Sequence, residues 1–304
     1  MIRAAGIDLG GTKSEVQLFD ADWQCVEKRR DPTPTTYEAL VALLAEQVQW
    51  ALSRAGSPIP VGLGAAGLLY ADGTSFTANL PVKGRPLLAD LATAAGHPVK
   101  YTNDCRALAL SEAVFGVGKG YRQVMSLILG TGIGGGIATD GTLREGPAGT
   151  GGEFGHLPAS AAVAKAYDLP IRQCGCGRMG CVETYIAGPG LTALAESLTG
   201  RALTPEEISA QKADDPEVAR VWTAWTAFTA DLLLTLVQVS DPDIITLGGG
   251  LSRIPGVTDD LERAYAATQI DGFGGPKVVL AEGGDASGAR GAAYAAFLEG
   301  GAHA

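Results

Sequence analysis

The chain has 304 residues, 46% hydrophobic and 18% charged, with a formal net charge of −10 and five cysteines. That length exceeds the roughly 100–200 residues of a usual single core, so two domains are expected, and the apolar content with 43 glycines fits a compact α/β protein rather than a disordered one. The acidic balance argues against a nucleic-acid surface, which needs clustered Lys and Arg.

At the start, AAGIDLGGTKSEVQLFD reads as an apolar run, a Gly-Gly-Thr-Lys turn and a second alternating run, a β-hairpin. Asp8 stands where a signal peptide would need unbroken apolar residues, so a cytoplasmic protein is expected. TTYEALVALLAEQVQWALSRAG follows as a helix: Thr35 and Glu38 have capping-box spacing, Leu40, Leu44, Val48 and Leu52 recur on one face, and Gly56 closes it. VGLGAAG, from Val61, returns as a strand, and another strand ends at Asn103-Asp104 before a helix through RALALSEAVFG. QVMSLILGTGIGGGIATDG, from Gln123, repeats the plan of the first hairpin, which points to an internal duplication with one copy opening each domain. The later half predicts a helix near Pro216 to Val239, a strand DIITLGGGLS into a triple-glycine turn, then a last strand, a polar loop and a closing helix. Alternating strands and helices imply a mainly parallel sheet in each half. The most apolar late stretch, DLLLTLVQV, is too short to span a bilayer, so no membrane role is expected.

Two stretches match G-x-G-x-x-G, Gly62 to Gly67 and Gly130 to Gly135. A dinucleotide site needs a helix to open on the loop, whereas GIATDG after Gly135 reads as a strand, so that site is not expected. The turns at DLGGTK and LGTGIGGG instead offer backbone N–H groups, the hydroxyls of Thr12 and Thr131, and the charge of Lys13. Such a pair suits a nucleoside triphosphate with Mg²⁺, Asp8 supplying a carboxylate, although tight hairpins need glycine in any case.

Three cysteines fall in CGCGRMGCVE, as C-x-C-x4-C at Cys174, Cys176 and Cys181. With no secretory signal and an odd count, a disulfide framework is not expected; thiolates at this spacing suit a structural Zn²⁺, with a redox or free-thiol role as the alternative. Of three histidines, His156 in GGEFGHLP is best placed to be the fourth ligand. Zinc would also fix Glu153 and Glu183 beside His156, a set able to hydrogen-bond a polyhydroxyl ligand; without it both acids read as surface residues. Cys25 and Cys105 are expected as small buried residues. Asp104, at a strand end, suits a general base for phosphoryl transfer to an alcohol, or a helix N-cap.

Taken in order, DLGGTK, NDCRALALSEA, LGTGIGGG, GEFGH, CGCGRMGCVE and ITLGGGLS resemble the ROK family of bacterial sugar kinases and sugar-responsive repressors over nearly the whole chain. ANLPVKGRPLLADL, DLPIRQCGCGRMGCVETYIAG and GGDASGARGAA look closest to its N-acetyl-D-glucosamine kinases. The resemblance implies an α/β, actin-like ATPase (ribonuclease H-like) fold of two duplicated domains, here 1–118 and 119–304, with ATP and sugar in the cleft and the helix near 288–299 packed back on the first domain. It implies Asp104 as the general base toward the sugar 6-hydroxyl, with Asn79, Asn103, Glu153, His156 and Glu183 lining the sugar. Gly6, Asp8, Gly10, Gly11, Thr12 and Lys13, with Thr131, Gly132, Ile133, Gly134 and Gly135, would hold MgATP phosphates; Gly248, Gly249 and Gly250 would lie against the adenosine. A homodimer is implied as well.

One departure stands out: Cys105 and Arg106 follow Asp104, where relatives commonly have a small residue and Asn. Arg106 would lower the pKa of the base by its charge or point to solvent. N-acetylmannosamine, glucose and fructose remain alternative acceptors, and a non-catalytic sugar-binding protein remains a further alternative. A repressor is disfavoured, because the first hairpin begins by residue 5 with no DNA-binding segment before it.

Overall fold

The computed structural model describes residues 1–77, 80–283 and 287–301. Chain contacts divide it into two units, one of Met1–Gly120, Gly136–Gly151 and Glu282–Ala304, the other of Tyr121–Gly135 and Gly152–Ala281.

In the first unit the opening hairpin is β1 (Ala4–Leu9) and β2 (Lys13–Phe19), antiparallel, extended by β3 (Cys25–Pro32). Next come α1 (Tyr37–Ala55), β4 (Val61–Ala65), the short β5 (Leu68–Leu69) and β6 (Ser75–Phe76), α2 (Leu87–Ala95), β7 (Lys100–Asn103) and α3 (Asp104–Phe115). The sheet runs β3-β2-β1-β4-β7, with β4 parallel to both β1 and β7. Leu40, Leu44 and Val48 of α1 are fully buried and join Ile7, Leu9, Leu63, Leu87 and Leu91 in one core. Gly56 ends α1 in the left-handed conformation, whereas Thr36, not Thr35, is the N-cap and no side chain caps it, so the expected capping box is not made.

The closing helix clusters with this unit too. It is packed closer to the sheet than side chains allow: a Cβ on Gly6 or Gly62 would overlap the carbonyls of Ala289 or Ala292. Glycine at position 6 is therefore required by packing, whatever it does toward a ligand.

The later elements are β8 (Gln123–Leu129), β9 (Ile133–Thr139), β10 (Thr142–Leu143), α4 (Ala161–Ala166), α5 (Glu183–Ile186), α6 (Gly188–Thr199), α7 (Pro205–Gln211), α8 (Pro216–Ser240), β11 (Ile244–Gly248), α9 (Val257–Ala266), β12 (Lys277–Leu280) and α10 (Ser287–Gly301). The second sheet runs β10-β9-β8-β11-β12, with β11 parallel to β8 and β12. Each sheet thus places its third, second, first, fourth and fifth strands side by side in that order, the topological form of the duplication read in the two glycine hairpins. Both sheets are mixed rather than mainly parallel, because the hairpin supplies the antiparallel half. In the second unit α8 carries a buried face of Trp225, Phe228, Leu232 and Leu233, with Phe228 stacked on Tyr185 at 4.5 Å. Among the described residues no helix is long and apolar enough to cross a membrane.

Candidate active site

In the first unit, β1 delivers Asp8 and then turns through Gly10, Gly11 and Thr12. Gly10 N–H donates to Lys13 O at 2.9 Å, closing the turn, and Thr33 holds its outside: its hydroxyl donates to Gly10 O at 2.7 Å and its N–H to Thr12 O at 3.1 Å. The tip residues Gly11 and Thr12 are exposed. Thr33 escaped sequence reading because it lies on the loop after β3, 23 residues from Gly10.

Asn103 and Asp104 join β7 to α3, and they divide the capping work. Asn103 is the N-cap: its Oδ1 accepts from Cys105 N–H (3.0 Å) and Arg106 N–H (3.3 Å), while its Nδ2 donates to Gly67 O (3.0 Å). Asp104 is therefore the first helical residue, and its Oδ1 accepts from Cys105 N–H at 2.9 Å. Burial pushes its carboxyl above the ordinary value, against the lowering effect of that N–H bond and the smaller one of the Arg106 charge. Arg106 is neither a dominant influence on Asp104 nor solvent-facing. It is buried, and its guanidinium donates to Gly149 O at 2.5 Å. Asn79 lies outside the described residues. Cys105 is half-buried, and Cys25 is exposed rather than buried, at the start of an edge strand.

In the second unit the ligand atoms of His156, Cys174, Cys176 and Cys181 all lie within 4.8 Å of one another. Cys174 Sγ is 3.7 Å from His156 Nδ1, and Cys176 Sγ is 3.6 Å from Cys181 Sγ. Two Zn–S arms of about 2.3 Å at a tetrahedral angle put their sulfurs roughly 3.8 Å apart, so the donor set fits Zn²⁺ in size as well as type. Gly177 and Gly180 have φ of 90° and 73°, the left-handed turns that curl the knuckle; Gly175 does not need one. Burial raises the Cys174 thiol, as does the neighbouring Glu183 carboxylate, whose Oε1 accepts from Sγ at 2.9 Å.

This cluster gathers the two predicted acids. Glu153 precedes the short 3₁₀ turn Phe154–His156, with Oε2 3.9 Å from His156 Nε2; Glu183 opens α5, with Oε1 3.4 Å from His156 Nδ1. The first glycines of the second hairpin are adjacent: a Cβ on Gly132 would lie 3.7 Å from Glu183 Oε2, and one on Gly155 would overlap Ile133 O. Gly135 and Gly249 are accounted for by packing, since side chains there would overlap Ser126 O and Leu129 O. Gly134 continues β9, and Gly248 is the buried end of β11.

Thr131 and Gly250 line one cavity of about 830 Å³, inside the range of small-molecule sites. The same cavity is lined by Gly188, Pro189 and Thr192 of α6, Pro205, Glu206 and Ser209 of α7, and Arg253. Gly188 N–H donates to Gly130 O at 2.8 Å, which brings the start of α6 to the glycine loop. These lining residues were missed in the sequence, yet signals existed: Gly-Pro-Gly marks a helix start, and Thr204 with Glu207 forms a complete capping box on α7.

The model of the ROK family matches residues 4–297. The chain is 43% identical over 291 residues to the N-acetylgalactosamine kinase AgaK of Shewanella sp. (strain ANA-3), covering 95% of this chain and 94% of that one. It is 37% identical over 296 residues to the N-acetyl-D-glucosamine kinase of Salmonella newport, covering 95% and 97%. Among solved structures, the ROK hexokinase from Thermus thermophilus superposes with a TM-score of 0.88 at 33% identity, covering 99% of this chain and 100% of that one.

Proposed function

Because the chain belongs to the ROK family and is a sugar kinase with the actin-like ATPase fold, we propose that it transfers the γ-phosphoryl group of ATP to the 6-hydroxyl of N-acetyl-D-glucosamine. The observation that carries this reading is Asp104: a carboxylate at the first position of α3, behind the N-cap Asn103, with one N–H bond from Cys105 to its Oδ1 and its pKa raised by burial. Such a group is a better base than an exposed carboxylate. It takes the 6-hydroxyl proton as the oxygen attacks phosphorus, and ADP leaves with the bridging oxygen.

Glu153, His156 and Glu183 bind sugar hydroxyls, the acids accepting and the imidazole held in place beside them. Asn103 has one amide hydrogen left for that task after its three bonds. In the first unit Gly10 to Lys13 are the residues that would contact phosphate and Asp8 the carboxylate that would hold Mg²⁺; in the second, Thr131 to Gly135 would contact phosphate and the cavity at Gly250 would take a nucleoside. His156, Cys174, Cys176 and Cys181 would hold Zn²⁺, which would supply rigidity to the loop carrying Glu153 and Glu183. The protein acts as a soluble homodimer.

A second reading, N-acetyl-D-galactosamine as acceptor, is favoured by the greater identity to AgaK. ADP release with MgATP and each of N-acetylglucosamine, N-acetylgalactosamine, N-acetylmannosamine, glucose and fructose separates them. The highest kcat/KM is expected for N-acetylglucosamine. A preference for the galacto epimer selects the second reading, and a preference for glucose or fructose overturns the acetamido assignment.

A further inference from the structure

Glu112, in the last turns of α3, has no solvent exposure and sits 170 or more residues from the groups it binds. Its Oε2 accepts from Glu282 N–H at 3.0 Å; its Oε1 accepts from Gly283 N–H at 2.8 Å and from the Ser287 hydroxyl at 3.2 Å. The cradle is built around the carboxylate. A Cβ on Gly116 would overlap Glu112 Oε2, and one on Gly283 would overlap Ser287 Oγ and lie 2.7 Å from Glu112 Oε1. Only an acceptor-only group satisfies three donors at once, and a buried N–H left without an acceptor is costly.

Those donors end at Ser287, the first residue of α10, and the next residue touches the proposed metal-facing carboxylate. A Cβ on Gly288 would lie 3.0 Å from Asp8 Oδ1 and 3.1 Å from its Cγ. Beyond it α10 lies flush on β1 and β4 through Gly6 and Gly62, and on α3 through Gly291, where a side chain would overlap Ala107 O. Contacts made by small residues resist sliding along the helix axis weakly. Further along α10, Arg290 Nε donates to Ser111 Oγ at 3.0 Å and Tyr294 packs edge-on against Trp23 and Phe115; at its first turn, where a one-residue slip would carry Gly288 away from Asp8 and bring a side chain against it, the polar anchor is Glu112. The other end of α3 is Asp104.

We propose that Glu112 is a positioning residue for phosphoryl transfer: one buried carboxylate fixes the start of α10 against Asp8 and ties it to the helix that opens with Asp104. This rests on the roles given to Asp8 and Asp104 in the kinase reading. The test is Glu112→Gln, which keeps the size but turns an N–H₂ toward one of the donors. The KM for MgATP and the Mg²⁺ concentration giving half-maximal rate should each rise about tenfold, while the KM for the sugar stays within about twofold. Glu112→Asp, acceptor-only but one methylene short, should fall between, and its two constants decide the matter if the glutamine variant does not fold. A purely structural role would scale activity with the folded fraction and leave every KM unchanged, and that result overturns the proposal. Wild-type turnover lost in Asp104→Asn but MgATP and Mg²⁺ constants unmoved in both Glu112 variants sinks this inference alone; absence of sugar-dependent turnover in the wild type sinks the kinase reading with it.

Discussion

Trp225→Phe should cost the second unit about 2–4 kcal/mol. Trp225 is fully buried on α8; its indole N–H donates to Ile186 O at 2.9 Å, and its ring stacks on Trp222 at 4.7 Å. Phenylalanine leaves Ile186 O without this donor in the interior, at roughly 1–3 kcal/mol. The lost ring atoms open about 40 Å³, worth ~1 kcal/mol at ~24 cal/mol per Å³. Most of the stacking survives. At about 2–4 °C per kcal/mol, the melting temperature of this unit should fall by roughly 4–16 °C. Trp222→Phe is the internal control: its N–H donates to Asp260, which keeps Lys212 and Arg263 as partners, so a loss under about 1.5 kcal/mol is expected. Calorimetry or thermal melts followed by far-UV circular dichroism read both variants without depending on tryptophan fluorescence. Equal shifts for the two would refute the weight placed on the Ile186 bond. Ile186 closes α5, so Trp225→Phe should also lower turnover through Glu183.

Further outcomes follow from the same geometry. Gly62→Ala should lift α10 from β4 and destabilise the first unit by about 1–3 kcal/mol, read by denaturant midpoint. A carboxyl raised in the folded state favours folding below its unfolded pKa and loses that contribution as pH rises through the folded value, so ionised Asp104 costs stability at neutral pH. Asp104→Asn should accordingly melt no lower than wild type at pH 7, and the acid limb of kcat/KM should lie above the ordinary carboxylate range of about 4. Purified protein should carry one zinc per chain by metal analysis, and chelation should lower both melting temperature and turnover; full activity in metal-free protein would contradict this.

The elements of the fold were largely legible because each carried a local signal. The glycine hairpins announced themselves twice, α1 by its period and its closing Gly56, and the cysteine knuckle by spacing. What was not legible depends on partners distant in sequence. Nothing around Asn103 and Asp104 says which of two cap formers takes the N-cap; that is decided by Gly67 O, 36 residues away. Thr35 and Glu38 had the right spacing for a capping box, but the helix starts one residue later. Arg106 looked like a perturbing charge next to a base, and only the fold shows its guanidinium turned to Gly149 O. The mainly parallel expectation failed because β3 and β10, which the sequence analysis did not read as strands, lengthen the antiparallel half that each hairpin begins.

Whether Asp104 is the base for transfer to a sugar 6-hydroxyl is read by ³¹P and ¹H NMR of the products after incubating wild type and Asp104→Asn with MgATP and N-acetylglucosamine or N-acetylgalactosamine. Wild type should give a phosphomonoester on the 6-position of a 2-acetamido sugar, and the variant a rate lower by about 10²–10⁴. A phosphate on another carbon, or a variant as fast as wild type, would contradict that assignment.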